Sequence, residues 1–267
     1  GFLKSGFFVF RNSWGEDATQ MVVKAGPKAF WHCQPDNGTF EMWFNGKNLF
    51  PDSGSYVYAG SKEVNEERNW FRQTAVHNTL TLNNKNLDQT NSKTLLWQPE
   101  GDIQTLVTEN PSYKNLTHRR SIFFVNNTYF VIVDEAIGAA KGFVNLHYQM
   151  PKGKIANSRE DMTFVTEFES GSNMKLQCFG PDGMSMKKEE GWASTAYRKK
   201  FKRMNVSFNV KKEDDAVRYI TIIYTMKDSA DAPDMSAKFK TKKFDGKNLK
   251  VEVKVGGKKQ SLKYTLQ

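Results

Sequence analysis

The residues best suited to chemistry lie between positions 31 and 79, where two of the four histidines, His32 and His77, occur among many polar residues. A Pro-Asp-Asn-Gly sequence follows His32 at positions 35–38 and predicts a turn that leaves the imidazole partly accessible. Histidine suits proton transfer because its ordinary pKa of about 6.5 lies close to neutral pH. His32 is therefore a candidate for proton transfer, while an isolated histidine is more often an ordinary surface or hydrogen-bonded residue.

Three further side chains in this stretch could hold a divalent cation. Gln34, Asp52 and His77 offer an amide oxygen, a carboxylate and an imidazole, a mixed set that zinc or calcium accepts. They are scattered along the chain and form no compact motif. The spacing alone therefore favours a hydrogen-bonded polar network over a metal site.

Arginines nearby could bind an acidic ligand. The guanidinium groups of Arg72, Arg119 and Arg120 could hold a carboxylate or sulfate through two parallel hydrogen bonds, although paired charges on a strand surface are the commoner arrangement.

The elements that must position these residues are strands. Asn45-Gly46 predicts a tight hairpin between 39–44 and 47–50. Asn126-Asn127 predicts the turn of a second hairpin between 118–125 and 129–135, whose second arm is apolar on both faces as in a central, covered strand. A last hairpin or meander is predicted in the tail, with Val251, Val253 and Val255 on one face, whereas the polar, aromatic segment 187–202 fits no element. Many short strands without a long amphipathic helix predict an all-β fold, an antiparallel multi-stranded β-sandwich of two packed layers. We expect a single domain over residues 1–267.

The chain carries a formal net charge of +10 and has a pI of about 9.4, which favours polyanionic partners. No RNP-like motif, zinc finger or helix-turn-helix pattern points to nucleic acid. Basic clusters at 198–202 and 238–243 are by themselves more typical of solvated strand faces. Cys33 and Cys178 predict neither a disulfide framework nor a metal motif.

No run is long and apolar enough to predict a transmembrane helix or membrane insertion, and no signal peptide is visible. The chain begins with Gly1 and enters a strand pattern almost at once. We therefore expect that residues upstream have been removed or left out.

Four ordered motifs resemble the C-terminal domain of the heparinase II/III-type polysaccharide lyases. They are His32–Phe40, Asp52–Tyr56, Arg72–Thr79, and His118–Arg120 together with Val133-Asp134. The resemblance covers most of residues 6–150 and, more diffusely, the later strands; within the family it is strongest to the heparan sulfate lyases.

The resemblance implies a β-sandwich that works with an N-terminal α/α toroid, which is absent from this chain, and a sugar cleft between the two. It implies β-elimination at uronic acid in heparan sulfate, with His32 as the catalytic histidine of this domain and a basic cleft wall. Gln34, Asp52 and His77 match the positions where relatives hold a structural metal. Because a related heparinase has a second histidine where this chain has Gln34, the resemblance favours zinc less and an oxygen-preferring ion such as calcium more. Candidate substrate-binding residues within the motifs are Arg72, Asn37, Asn78 and Arg119. The family also implies a periplasmic or secreted bacterial protein.

Two alternatives stay open from the sequence. The chain could be a noncatalytic module that binds acidic polysaccharide or acts as a scaffold, or it could serve a lyase for alginate or another uronate polymer. Because elimination needs several groups around one sugar, we expect residues 1–267 alone to have little or no activity.

Overall fold

The computed structural model describes residues 1–28, 33–241 and 244–267. Strands dominate these ranges. They are β1 (Phe7–Arg11), β2 (Gln20–Lys24), β3 (Thr39–Phe44), β4 (Lys47–Asn48), β5 (Leu80–Leu82), β6 (Lys93–Gln98), β7 (Ile103–Tyr113), β8 (Leu116–Val125), β9 (Tyr129–Ile137), β10 (Gly142–Gln149), β11 (Ile155–Ser158), β12 (Thr163–Thr166), β13 (Asn173–Phe179), β14 (Ser185–Ala196), β15 (Lys199–Lys212), β16 (Ala216–Met226), β17 (Met235–Phe239), β18 (Asn248–Val255) and β19 (Lys258–Thr265). The helices are α1 (Lys62–Phe71) and two short 3-10 helices, Thr74–Val76 and Ser229–Asp231.

The described strands form four antiparallel sheets. Their strand orders are β1-β2-β3-β4, β14-β15-β10-β5, β11-β12-β13-β16-β9-β8-β7-β6, and β17-β18-β19. The predicted all-β, antiparallel class is confirmed. In the described part of the chain, no helix has the length and apolar character needed to cross a bilayer.

The predicted hairpins are present because their turn residues accept left-handed backbone. Asn45 and Gly46 have φ of 48° and 74°, and β3 pairs with β4 across them. Asn126 and Asn127 have φ of 50° and 54° and join β8 to β9. These turns fix which strand ends lie side by side.

The main core lies between the eight-stranded sheet and the two four-stranded sheets. Alternate residues of β8 and β9, among them Ile122, Phe124 and Ile132, pack there against Phe10 of β1 and Phe208 of β15. The two faces of β9 are both buried, as its continuous apolar sequence predicts. These layers form the predicted sandwich.

A third layer corrects the prediction of two layers. The sheet β17-β18-β19 covers the outer face of the eight-stranded sheet, where Val251, Val253 and Leu262 pack against Phe123 and Val131. The apolar alternation in the tail predicts a strand face but does not say which surface it covers. The assignment of residues 1–267 to one domain stays a prediction.

The segment that fitted no element from sequence is part of a long hairpin. β14 pairs with β15 in register from Ser185 opposite Asn209 to Ala193 opposite Phe201, and the turn places Arg198 at φ 58°. β14 has an exposed face over much of its length, so its sequence lacks the apolar run that marks β9.

Candidate functional site

The segment from Cys33 to Gly38 is fastened to the rest of the molecule at every residue. The contacts are Arg72 Nη2 donating to Cys33 O (2.8 Å), Gln34 Nε2 donating to Gly54 O (3.4 Å), Thr74 Oγ1 donating to Pro35 O (2.6 Å), Lys24 paired with Asp36, Asn37 Nδ2 donating to Gly26 O (3.2 Å) and Thr90 O (3.0 Å), and Arg120 Nη1 donating to Gly38 O. Several elements therefore hold one short loop. His32, which directly precedes this loop in the chain, lies outside the described residues.

Asp52 and His77 meet beside this loop. His77 is fully buried, and its Nδ1 lies 2.6 Å from Asp52 Oδ2. Asp52 Oδ1 accepts the Gly54 amide at 2.7 Å, so each carboxylate oxygen has a partner. Burial alone would lower the pKa of His77, but the charge and hydrogen bond of Asp52 outweigh it and raise that pKa. Burial correspondingly opposes ionisation of Asp52, yet His77, the Gly54 amide and Arg203 together lower its pKa.

Arg203 of β15 supports the Asp52 segment from the neighbouring sheet. It is nearly buried and donates to Pro51 O, to Ser53 Oγ at 2.5 Å and to Gln149 Oε1 at 3.3 Å. Burial lowers the pKa of its guanidinium to about 10, against the opposing pull of Asp52 and Glu41. The guanidinium thus holds this segment against the sheet of β10 and β15.

Gly54 shows how closely this segment approaches the sheet. Its φ is +76°, and an added Cβ would lie 2.2 Å from Ser194 O of β14. Only glycine fits this position.

A second buried cluster fixes the loop from the eight-stranded sheet. Arg120 Nε lies 2.7 Å from Asp134 Oδ1, and His118 Nε2 lies 2.6 Å from the same oxygen. Arg120 Nη1 also donates to Asn78 O at 2.6 Å, besides its bond to Gly38 O. Burial lowers the pKa of His118, whereas Arg120 and His118 overcome the effect of burial on Asp134 and lower its pKa. The cluster is a buried anchor that ties β8 and β9 to the site.

Three of the four predicted substrate-binding residues have structural contacts instead. Asn37 and Asn78 are buried, and their amides bond to backbone: Asn78 Nδ2 donates to Phe40 O at 2.8 Å and its Oδ1 accepts from Gln149 N at 2.7 Å. Arg119 is buried on the opposite face of β8 from Arg120 and pairs with Glu109, its Nε lying 2.7 Å from Oε1. The geometry therefore does not support substrate binding by these three.

Arg72 is the one predicted substrate-binding residue that is partly exposed. It directly follows α1 and contacts the loop 33–38. Its bond to Cys33 O holds the residue that follows His32 in the chain.

Two buried polar atoms at the site have no hydrogen-bond partner within the described part of the chain. They are Oε1 of Gln34 and Nε2 of His77, which belong to two of the three predicted metal ligands. Both residues reach the Asp52–Gly54 turn, Gln34 through Gly54 O and His77 through Asp52. Across the described residues, no three His, Cys, Asp or Glu side chains form a group that could hold a metal ion. A cation here would therefore need the amide oxygen of Gln34 together with Asp52 and His77.

The basic cluster at 198–202 lies next to this site but is partly neutralised. Lys200 pairs with Glu67 of α1 at 2.7 Å, and its Nζ lies 4.8 Å from the centre of the Trp192 ring, while Lys202 pairs with Glu190. The Arg198 amide donates to Tyr56 O at 2.8 Å, which joins this hairpin to the Asp52 turn. The cluster thus combines cations with aromatic rings at the edge of the site.

Sequence reasoning missed Arg203 and Gln149, which complete the support of the site. Arg203 lies about 150 positions beyond the Asp52 segment that it contacts. No local signal marked Arg203, because it shares a strand face with Asn205 and Ser207, whereas most of the apolar residues of β15 lie on the other face.

Comparison with known proteins agrees with this arrangement. The family model Heparinase II/III-like, C-terminal matches residues 1–238. The chain is 80% identical over 267 residues to a heparin-sulfate lyase of Bacteroides stercoris, covering 100% of this chain and 40% of that protein. It is 36% identical over 260 residues to a heparin-sulfate lyase of Pedobacter heparinus, covering 96% of this chain and 39% of that protein.

Solved structures give the same result. A heparinase III structure, 80% identical, superposes with a TM-score of 0.98 and covers 100% of this chain and 42% of its own. The heparan sulfate lyase HepC from Pedobacter heparinus is 35% identical and superposes with a TM-score of 0.93. The match covers 99% of this chain and 42% of the HepC chain. The chain spans about 40% of the length of the curated relatives it matches. By this match of fold and sequence, the chain belongs to the heparinase II/III-like family and corresponds to its C-terminal domain.

Proposed function

We propose that this chain is the β-sandwich portion of a heparan sulfate lyase that cleaves by β-elimination at uronic acid. The observation that carries the proposal is the loop 33–38, which buried groups from several elements hold directly after His32. The 80% identity to a heparin-sulfate lyase over the whole chain supports the substrate class. The remaining catalytic groups and an α/α toroid would come from chain that lies outside these 267 residues.

In this proposal, His32 transfers a proton during elimination. A base removes the C5 proton of the uronate, the electron pair of that C–H bond forms the C4–C5 double bond as the C4–O bond breaks, and an acid gives a proton to the departing glycosidic oxygen. Arg72 offers a guanidinium for a substrate carboxylate or sulfate. The bond from Arg72 to Cys33 O also fixes the backbone of the residue that follows His32. Such positioning matters because a well-placed proton donor or acceptor contributes roughly 10²–10⁴-fold to the rate.

We also propose that Gln34, Asp52 and His77 hold a divalent cation, calcium or zinc, in a structural role. Three donor types suit such an ion, and the buried Gln34 Oε1 and His77 Nε2 lack other partners among the described residues. His77 Nδ1 is bonded to Asp52, an arrangement typical of metal-binding histidines, because the carboxylate fixes the tautomer and leaves Nε2 for the metal. In this arrangement Asp52 would support the ion by orienting His77, and Gln34 Oε1 and His77 Nε2 would be the direct ligands. When bound, the ion would tie the Gln34 loop to the Asp52 turn.

The test compares a longer form that includes the upstream chain with residues 1–267 alone. The longer form should release unsaturated uronate from heparan sulfate, and residues 1–267 should not. His32→Ala in the longer form should lower kcat by about 10²-fold or more with little change in KM or Tm, and added imidazole should restore part of the rate.

Two results would contradict the proposal. Near-normal kcat in His32→Ala would remove His32 from the chemistry. A longer form that binds heparan sulfate without cleaving it, or that cleaves only alginate, would favour one of the alternative functions.

A periplasmic or secreted location is proposed as well, since the polymeric substrate lies outside the cell. Cell fractionation of the natural producer tests it.

A further inference from the structure

The outer face of the third layer concentrates positive charge. Along the strands of the sheet β17-β18-β19, alternate residues point into the apolar core beneath the sheet, and the residues between them point to solvent. The lysines on the outer side are Lys238, Lys240, Lys250, Lys254, Lys259 and Lys263, all exposed. We call this set the lysine face. Among the described outward-facing residues of these strands, Glu252 alone carries a carboxylate.

Strand pairing places lysines of this face directly opposite each other. Lys250 pairs in register with Lys263, and Lys254 pairs with Lys259. Like charges that face each other across an antiparallel pair destabilise a sheet. Glu252 offsets the repulsion only at Lys238 and Lys240, because its carboxylate oxygens lie 3.2 Å from Lys238 Nζ and 3.4 Å from Lys240 Nζ. Within the described chain, no carboxylate comes within 4.0 Å of the ammonium groups of the other four lysines.

The lysine face and the candidate site lie on opposite sides of the eight-stranded sheet. The site belongs to the layer of β3, β5 and β15, and the complete eight-stranded sheet separates that layer from the third one. The family model ends at residue 238, so β18 and β19 lie beyond the matched segment. The face is therefore a separate feature from the site described above.

The chemistry of the face suits sulfate and carboxylate groups on a flexible polymer. Lysine ammonium groups are compact point charges, and exposed clusters of them concentrate polyanions. Proteins that bind single-stranded nucleic acid usually add aromatic rings on which bases stack. Here the aromatic side chains of the sheet point inward, with Tyr264 buried and Phe239 packed on the third-layer core. Shallow grooves of about 300 Å³ and 410 Å³ run across the face, the first beside Lys238, Lys254 and Lys259 and the second beside Lys250 and Lys263.

We propose that the lysine face is a second binding surface for acidic polysaccharide, which holds long chains away from the site of cleavage. The identification of the polymer as heparan sulfate rests on the proposed function. A ligand of this kind would offset the repulsion between the facing lysines. It would also keep a long chain near the protein between cleavage events, because attachment at one place raises the effective concentration at another.

The test uses residues 1–267 and heparan sulfate chains in a calorimetric titration at several salt concentrations. The face variant is Lys250→Gln/Lys254→Gln/Lys263→Gln, and the matched control is Lys4→Gln/Lys114→Gln/Lys141→Gln, which removes the same charge from exposed lysines elsewhere. The face variant should bind about tenfold more weakly or worse, with a salt dependence reduced by roughly one unit of slope per lysine. The control should change affinity by about twofold at most. Without ligand, the Tm of the face variant should stay equal or rise, because facing like charges have been removed.

Equal weakening of both triple variants would overturn the proposal, since net charge alone would then explain binding. Unchanged affinity of the face variant would overturn it too, as would tighter binding of single-stranded DNA than of heparan sulfate to this face. These results are independent of lyase activity in the longer form. Absence of unsaturated uronate would contradict the proposed function, whereas a normal affinity of the face variant would contradict only the lysine face.

Discussion

His77 and Asp52 form a buried pair in which His77 Nδ1 lies 2.6 Å from Asp52 Oδ2, while His77 Nε2 has no partner in the described part of the chain. One nitrogen is thus oriented by a carboxylate, and the other is buried without a hydrogen bond. A buried polar atom without a partner costs about 1–3 kcal/mol. A bound cation would remove that cost, and Gln34 Oε1 has the same need.

Removal of cations should therefore destabilise the chain. We expect a chelator to lower Tm, and added calcium or zinc to restore it, because an ion that binds only the folded state stabilises by mass action. The restoring effect should grow as pH rises, since a proton competes with the ion for His77. Differential scanning calorimetry with elemental analysis measures both effects.

His77→Gln is the matched variant, and it should be insensitive to chelator. The metal site would be wrong if the wild-type Tm did not respond to chelator and the purified protein held no metal. Gln34, Asp52 and His77 would then form a hydrogen-bonded cluster only.

Arg72 and Arg119 should separate into a binding role and a structural role. Arg72→Leu in the longer form should lower kcat/KM on heparan sulfate about tenfold or more, because a charged group at the site is lost. Arg119→Leu should instead lower the free energy of unfolding by roughly 1–3 kcal/mol, because it removes the charged hydrogen bond to Glu109, whose side chain is 23% exposed. Steady-state kinetics and urea unfolding of both variants measure the difference. The opposite pattern would restore Arg119 as a substrate-binding residue.

The buried Arg120–Asp134 pair should be essential for folding. Arg120→Met leaves Asp134 charged without its main partner and releases Gly38 O and Asn78 O, so the free energy of unfolding should fall by roughly 3–5 kcal/mol. Lys154→Met is the control, because Lys154 is exposed where it pairs with Glu167, and solvent screening leaves such a pair with little effect on stability. Urea unfolding gives both values. A similar small loss in the two variants would show that Arg120 is not an anchor.

His147 should make the fold sensitive to acid. It is buried, its Nε2 lies 2.9 Å from Thr81 Oγ1, and burial lowers its pKa to about 4 from 6.5. Between these pH values the unfolded chain binds a proton that the folded chain does not, so stability falls as pH falls through this window. At about pH 4, protonation of His147 in the unfolded chain should lower the free energy of unfolding by roughly 3 kcal/mol, and His147→Gln should remove this loss.

The measurement is urea unfolding of both proteins at about pH 7 and about pH 4.5, the two sides of the window in which His147 takes up its proton on unfolding. The wild type should lose more stability than His147→Gln on acidification. Parallel losses would show that other groups account for the acid sensitivity.

The sequence by itself determined the strands whose local signals are strong. Asn45-Gly46 and Asn126-Asn127 sit where the chain must adopt positive φ, and the apolar run of β9 required burial on both faces. These signals are local because turn geometry and strand period depend on neighbours in the chain. The sequence also brought Gln34, Asp52 and His77 into one hypothesis, and the structure places all three around the Asp52 turn.

Only the tertiary structure decided which polar residues face the site. Arg119 and Arg120 are adjacent in sequence, yet strand alternation sends Arg120 to the site and Arg119 to the other side of the sheet. Arg203 reaches Ser53 from a strand about 150 positions later, a contact that no local pattern encodes. The lysine face likewise exists because the apolar side of β17-β18-β19 packs on the eight-stranded sheet, which leaves the outward lysines on one surface. Side-chain direction and long-range contacts follow from how the layers pack, and packing is a property of the whole chain.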